Sequence, residues 1–277
     1  MLEVIVLISL GLVWIIFATI QDLKKREISD WLNYSLIIFA LGFRFFYSLF
    51  ANDFNFLYQG LIGLGLFFVL GNILYYGKMF AGGDAKLMMA LGAVLPLHYD
   101  FFSNLNVFVL FFVLFLLAGA VYGIISTFYL AIKNKKVFRK EFKKQFKENK
   151  RLVFLILILS LLFLGAGFFD KTLVYFGIVL FVLPYLYVSA KAIDESCMVR
   201  KIPVGKLTEG DWLYKDLKLG NKKIKAKWEG LNKKEINLIK KHKKLVAIRQ
   251  GIPFTPAFFV AYVLLIVFWI KERGSIF

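Results

Sequence analysis

The sequence predicts an all-α polytopic membrane protein, a helical bundle of about eight spans with a small α+β segment outside the bilayer. Three observations lead there. Hydrophobic residues make up 60% of the chain and mean hydropathy is +0.70, far above an ordinary soluble domain. Apolar runs long enough to cross a hydrocarbon core of about 30 Å recur along the chain. Net positive charge is concentrated in two stretches, as the loops on one side of a membrane protein require.

The apolar segments are residues 4–20, 31–50, 56–76, 85–97, 105–132, 152–168, 172–190 and 252–270. The first has no basic stretch before it and no small-residue cleavage site after it, so it reads as a span and not as a cleaved signal. The fourth is short, reaching about 20 Å as a helix, and Pro96 is expected to end or kink it.

Net charge is −1 over residues 1–132, +8 over 133–151 and +10 over 191–250. Cytoplasmic loops are enriched in Lys and Arg, so 133–151 and 191–250 are expected inside. Alternation then brings residues 21–30 and 77–84 to the same face and leaves 51–55 and 98–104, with Asp53 and Asp100, outside. The charge pattern therefore requires the short fourth segment to cross, tilted or with local bilayer thinning. The expected organisation is a membrane bundle over 1–132, a basic cytoplasmic loop over 133–151, an additional hairpin over 152–190, a cytoplasmic soluble segment over 191–250 and a last transmembrane helix within 251–277.

In the soluble segment, residues 199–229 mix apolar and charged positions in short runs punctuated by Gly205, Gly210 and Gly220, which predicts small strands and turns. Asn232 followed by Glu235 reads as a capping box, with Leu231 stapled to Ile236. A basic amphipathic helix is expected over 235–245. Its ordinary role would be to lie near anionic lipid. About 60 residues is marginal for an independent core, so this segment is expected to lean on the membrane part.

Several chemistries are excluded. The single cysteine, Cys197, allows no internal disulfide framework and no cysteine-rich zinc site. His98 and His242 lack a second ligand at metal spacing, so no metal and no cofactor is expected. The basic runs carry no nucleic-acid recognition motif; membrane lipids are their expected partner.

The informative residues are acids at span boundaries. Asp22 follows the first span and Asp84 precedes the fourth, and the charge map puts both at the cytoplasmic face. Two carboxylates brought close cannot both ionise easily, so the pair holds one proton. That state suits peptide hydrolysis: the ionised member takes a proton from water and the protonated member polarises the scissile carbonyl. Gly82 and Gly83 before Asp84 are expected to adopt conformations closed to other residues and to let a substrate strand approach closely. A flexible turn with Asp84 as a plain helix cap, and Asp22 as a solvated helix end, explains the same residues.

At these positions the chain resembles the archaeal prepilin and preflagellin peptidases, membrane aspartic proteases of the GxGD type. The resemblance rests on Gly82-Gly83-Asp84-Ala85-Lys86, on residues 21–31 around Asp22, and on residues 249–258 entering the last span. It implies Asp22 and Asp84 as a catalytic dyad. It implies a multi-pass cell-membrane enzyme that cuts the class III signal peptide, a short basic leader, from pilin or flagellin precursors at the cytoplasmic side.

The chain departs from that pattern in places. Ala81 stands at the first glycine of the motif, where a required positive φ would be strained. Residues 152–190 look like an added helix pair. The bacterial relatives methylate the new N-terminus and often carry a cysteine-rich domain; with Cys197 alone, cleavage without methylation is expected. Lys86 is expected to support the ionised dyad or to snorkel to the surface. Glu27 and Asp30 could meet the basic leader or stay solvated. Gly251 and Pro253 are expected to open the last span, Pro253 in its first helical turn. Competing readings are an ion- or proton-coupled transporter, a signal-peptide-peptidase-like intramembrane protease and a membrane scaffold. The sequence leaves the precursor and the oligomeric state open.

Overall fold

A computed structural model describes residues 2–220 and 222–274. Its first five helices are α1 (Leu2–Lys25), α2 (Asp30–Ala51), α3 (Asn55–Tyr76), α4 (Gly82–Val94) and α5 (Phe101–Lys133). Then come α6 (Lys135–Glu148), α7 (Lys150–Ala166) and α8 (Lys171–Ser196). A mixed segment carries β1 (Val199–Pro203), β2 (Trp212–Leu213), β3 (Leu217–Leu219), β4 (Lys222–Ile224), α9 (Lys233–His242) and β5 (Leu245–Arg249), and α10 (Thr255–Gly274) follows. The chain divides into two compact units, Met1–Ile124 with Ile252–Phe277, and Ile125–Gly251.

Among the described residues five helices, α1, α2, α3, α5 and α8, are long and apolar enough to cross a bilayer. This is a polytopic helical membrane protein. The other three expected spans are shorter: α7, α4 with 13 residues, and α10, apolar over Thr255–Lys271.

In the first unit the helices pack through small residues. A Cβ on Gly63 would strike the Gly92 carbonyl, and one on Gly92 would strike the Gly63 carbonyl, so α3 and α4 cross backbone to backbone. One turn-pair further on, a Cβ on Gly71 would lie 2.9 Å from the Ala85 carbonyl oxygen. In lipid, apolar surface gives helices no reason to associate, and this close approach supplies dispersion contacts instead. Leu87, Met88 and Leu91 of α4 are wholly buried, so α4 is the central element. Outward residues such as Phe17, Ile38 and Phe68 stay exposed, as lipid-facing side chains do.

Arg44 of α2 is also wholly buried. Its Nε donates to the Ala93 carbonyl at 2.9 Å, one terminal nitrogen to Phe56 at 2.8 Å, and the other to Val94 at 3.3 Å and Pro96 at 2.5 Å. The guanidinium also stacks 4.4 Å over the Phe56 ring. The last carbonyls of a helix lack intrahelical partners, and hydrocarbon offers no water to satisfy them. Arg44 satisfies those of Ala93 and Val94 at the end of α4, which helps so short a helix stop inside the bundle. Gly60 makes the room, since its Cβ would collide with the Arg44 side chain.

In the second unit residues 133–151, expected as a loop, are largely helix α6. Phe138, Phe142 and Phe146 recur every four residues and their rings follow one another at 5.8 and 6.3 Å. That spacing places one apolar stripe on a lysine-rich helix. α6 and α7 meet at a 77° bend. α7 and α8 form a hairpin, with Ser160 Oγ donating to the Gly177 carbonyl at 2.9 Å.

The mixed segment builds an antiparallel sheet in the order β1-β5-β2 and a β3-β4 hairpin. Val204, Leu213, Ile236, Ile239, Val246 and Ile248 are among the residues of its small core. The expected capping box is present: Asn232 Oδ1 accepts from the Glu235 N–H at 2.9 Å and Glu235 accepts from the Asn232 N–H at 3.1 Å. Leu231 and Ile236 are both buried. The helix stops at His242, short of the expected Leu245, because Leu245 opens β5 and pairs with Pro203. The sheet is tied to the end of α8, where Arg249 donates to Glu195 at 2.7 Å and pairs with Asp194 at 3.2 Å.

Candidate active site

α1 ends one turn beyond Asp22. Arg26 adopts a left-handed conformation, φ 58°, and its N–H donates to the Asp22 carbonyl at 2.7 Å, a terminating geometry that satisfies an orphan carbonyl. The Ser29 N–H then donates to Gln21 Oε1 at 2.7 Å, folding the loop back on the helix it left. The loop thereby buries Ile28 and presses it onto Gly83. A Cβ on Gly83 would lie 3.2 Å from Ile28 Cβ and 3.4 Å from its nitrogen. The chain just after Asp22 and the chain just before Asp84 are thus packed together.

Asp84 lies in the first turn of α4. The helix is capped by Ala81, φ −71° and ψ 161°. Asn33 Nδ2 donates to the Gly83 carbonyl at 3.3 Å and ties α2 to the same turn. Asp22 acts on Asp84 electrostatically, and the packing of Ile28 on Gly83 holds the C-terminal end of α1 beside the N-terminal end of α4.

Asp22 is only 6% exposed. Its Oδ2 accepts twice from one residue, from the Thr255 N–H at 3.0 Å and from Thr255 Oγ1 at 2.6 Å. Thr255 is wholly buried and opens α10, where the first N–H groups have no acceptor within the helix. Phe254 before it is clamped between rings, 5.7 Å from Phe115 and 6.1 Å from Phe80. Gly119 opens the space for it, since a Cβ there would lie 2.8 Å from the Phe254 ring.

Several sequence expectations change. Gly82 and Gly83 are ordinary helical residues without positive φ; the Gly83 hydrogen serves close packing by Ile28, and a Cβ on Gly82 would meet nothing nearer than 3.8 Å. Ala81 is extended with negative φ, so alanine is unstrained there. Lys86 pairs with an exposed acid of α2. Its Nζ donates to Asp30 Oδ1 at 2.6 Å, because Asp30 at the start of α2 lies within its reach. Glu27 is exposed. Pro253 precedes the helix by two residues and Pro256 takes the first-turn position, where a missing N–H costs nothing. Gly251 is exposed and ends the second unit. Thr255 and Ile28 carried no signal of their own in the sequence, although Thr255 lies in the 249–258 stretch already singled out.

Two acids at adjoining helix ends, one of them doubly hydrogen-bonded, invite comparison with known proteins. Residues 9–127 match the type IV leader peptidase family. The match contains Asp22, Gly82, Gly83 and Asp84 and stops well before Thr255. The chain is 36% identical over 86 residues to the preflagellin peptidase of Methanocaldococcus jannaschii, covering 31% of this chain and 36% of that protein. It is 31% identical over 87 residues to the preflagellin peptidase of Methanococcus maripaludis, 31% of this chain and 37% of that protein. A third, from Methanococcus voltae, is 25% identical over 99 residues, 35% of this chain and 42% of its own length. The chain thus spans about two fifths or less of the length of these curated relatives. No solved structure matches. The leader-peptidase match supports the resemblance to the archaeal prepilin and preflagellin peptidases read from the motifs around both acids.

Proposed function

We propose that the protein is a membrane aspartic endopeptidase that removes the short basic leader from archaeal pilin-like or flagellin precursors at the cytoplasmic face of the cell membrane. The observation that carries this reading is the packing of Ile28 on Gly83, which brings the chain just after Asp22 against the chain just before Asp84 and leaves the two acids within electrostatic reach of each other. Both acids lie within the leader-peptidase match. The names of the relatives, preflagellin peptidases, support a precursor of flagellin type as substrate.

The chemistry follows from the pair. Near each other and largely withdrawn from water, the two carboxyls share one proton. The ionised member takes a proton from a water molecule as its oxygen attacks the scissile carbonyl, and the protonated member donates to the carbonyl oxygen. The amine then leaves with a proton, and the bond is cut without a covalent enzyme intermediate. A leader peptidase must cut just before the apolar helix of its substrate, hence at the membrane surface. The C-terminal end of α1 and the N-terminal end of α4 suit that depth, and the basic residues of 133–151 and 191–250 support the cytoplasmic side.

The test is co-expression with a leader-bearing precursor, read as a mobility shift. Asp22→Asn and Asp84→Asn are each expected to abolish processing while the protein still inserts, and Asp30→Asn to remain active. Full processing by either dyad variant overturns the assignment.

A further inference from the structure

The two acids are held unequally. Asp22 Oδ2 accepts from both the N–H and the hydroxyl of Thr255, whereas among the described residues no such pair of donors faces the Asp84 carboxyl. The 2.6 Å hydroxyl contact is in the range of an O–H donor facing a carboxylate oxygen. The Thr255 N–H can only donate and the hydroxyl is free to donate as well, so both bonds are made best to a charged oxygen. Thr255 is wholly buried, and no bulk water competes for these bonds.

From α4 the group acting on Asp22 is Asp84 itself, and Lys86 is engaged by Asp30 of α2. From α10, Thr255 is the partner of Asp22, while the titratable Tyr262 donates to the Ile8 carbonyl at 3.1 Å, further along the bundle. On α1 itself Lys24 and Lys25 are exposed.

Resting on the protease reading, we infer that Thr255 is a positioning residue that fixes the division of labour in the dyad: Asp22 is the ionised proton acceptor and Asp84 carries the shared proton. The water oxygen bonds to the scissile carbonyl carbon, its proton passes to Asp22 Oδ1, and the Asp84 proton passes to the carbonyl oxygen. On collapse the C–N bond breaks, Asp22 gives its proton to the leaving nitrogen and the proton on the carbonyl oxygen returns to Asp84. Both acids end as they began. The last helix, outside the family match, is thereby part of the catalytic arrangement.

The experiment uses the purified full-length protein in detergent with a pilin-like precursor. Thr255→Val keeps the shape and the N–H but removes the hydroxyl, and Thr255→Ser restores it. Thr255→Val is expected to lower kcat about 10- to 100-fold, the range for losing a hydrogen bond to a charged group, with KM unchanged. Thr255→Ser is expected to recover most of the rate, and Thr255→Cys, a weak donor, to fall between and to serve should the valine variant not fold. A wild-type kcat in Thr255→Val or Thr255→Cys overturns the inference. So does a serine variant as slow as the valine one. Asp84→Asn run in parallel separates the two levels: if it cleaves, the protease reading fails; if it is inactive while Thr255→Val keeps full kcat, only the role of Thr255 fails.

Discussion

Arg44 Nε donates to the carbonyl oxygen of Ala93 at 2.9 Å, so α2 holds the far end of the helix whose first turn carries Asp84. Asn33 holds the near end of the same helix through the Gly83 carbonyl. α4 is therefore clamped at both ends by one neighbour, and the Asp84 carboxyl has a fixed place.

Arg44→Met is expected to strip partners from buried carbonyl oxygens of residues 56, 93, 94 and 96. Each unsatisfied buried group costs about 1–3 kcal/mol, so a loss of at least about 3 kcal/mol is expected, well beyond an average substitution. Thermal unfolding in detergent, followed by loss of the monodisperse peak, checks it. Arg44→Lys is expected to recover only part, because an ammonium lacks the fork that reaches several carbonyls.

Gly83→Ala and Gly82→Ala are expected to differ sharply. At Gly83 the new methyl lies 3.2 Å from Ile28 Cβ, so the loop after Asp22 must shift by a few tenths of an ångström. Cleavage is expected to fall about 10-fold or more, since catalytic geometry tolerates little displacement. At Gly82 the nearest atom is 3.8 Å away, and activity is expected to stay near wild type. Equal activities in a leader-cleavage assay would contradict the packing role of Gly83.

Lys86→Gln is expected to change little. The pair with Asp30 has side chains 34% and 59% exposed, and such pairs contribute about 0–1 kcal/mol. Measured cleavage rate and unfolding temperature of Lys86→Gln, Asp30→Asn and the double variant should agree closely. A large coupling between the two would assign the pair a role at the dyad.

Asn232→Ala removes one arm of the capping box on α9. Loss of such a cap costs about 1 kcal/mol. Hydrogen exchange of the α9 amides is the appropriate measurement, because it reports this small domain separately from the membrane helices; faster exchange confined to α9 and its neighbours is the expected result.

Apolar runs and confined basic charge declare a multi-pass membrane protein directly, because the bilayer imposes a length and a sign on the segments it holds. Asn232 and Glu235 declared a helix start for the same kind of reason: the interaction is local and its spacing is written in the chain. The amphipathic α6 was also present as Phe138, Phe142 and Phe146, hidden under the weight of its lysines. The end of α9 was not legible, because Leu245 leaves the helix for a partner more than 40 residues earlier, Pro203.

The sequence by itself determined that Asp22 and Asp84 stand at span ends and that glycines precede Asp84. Only the tertiary structure decided what surrounds them: that Gly83 yields to Ile28, that Lys86 turns to Asp30, that Arg44 closes α4 and that Thr255 binds Asp22. Each of these joins residues distant along the chain through hydrogen bonds or contacts shorter than 4 Å. Such contacts depend on how helices cross, and helix crossing is set by the backbone approach of small residues, which local patterning does not encode.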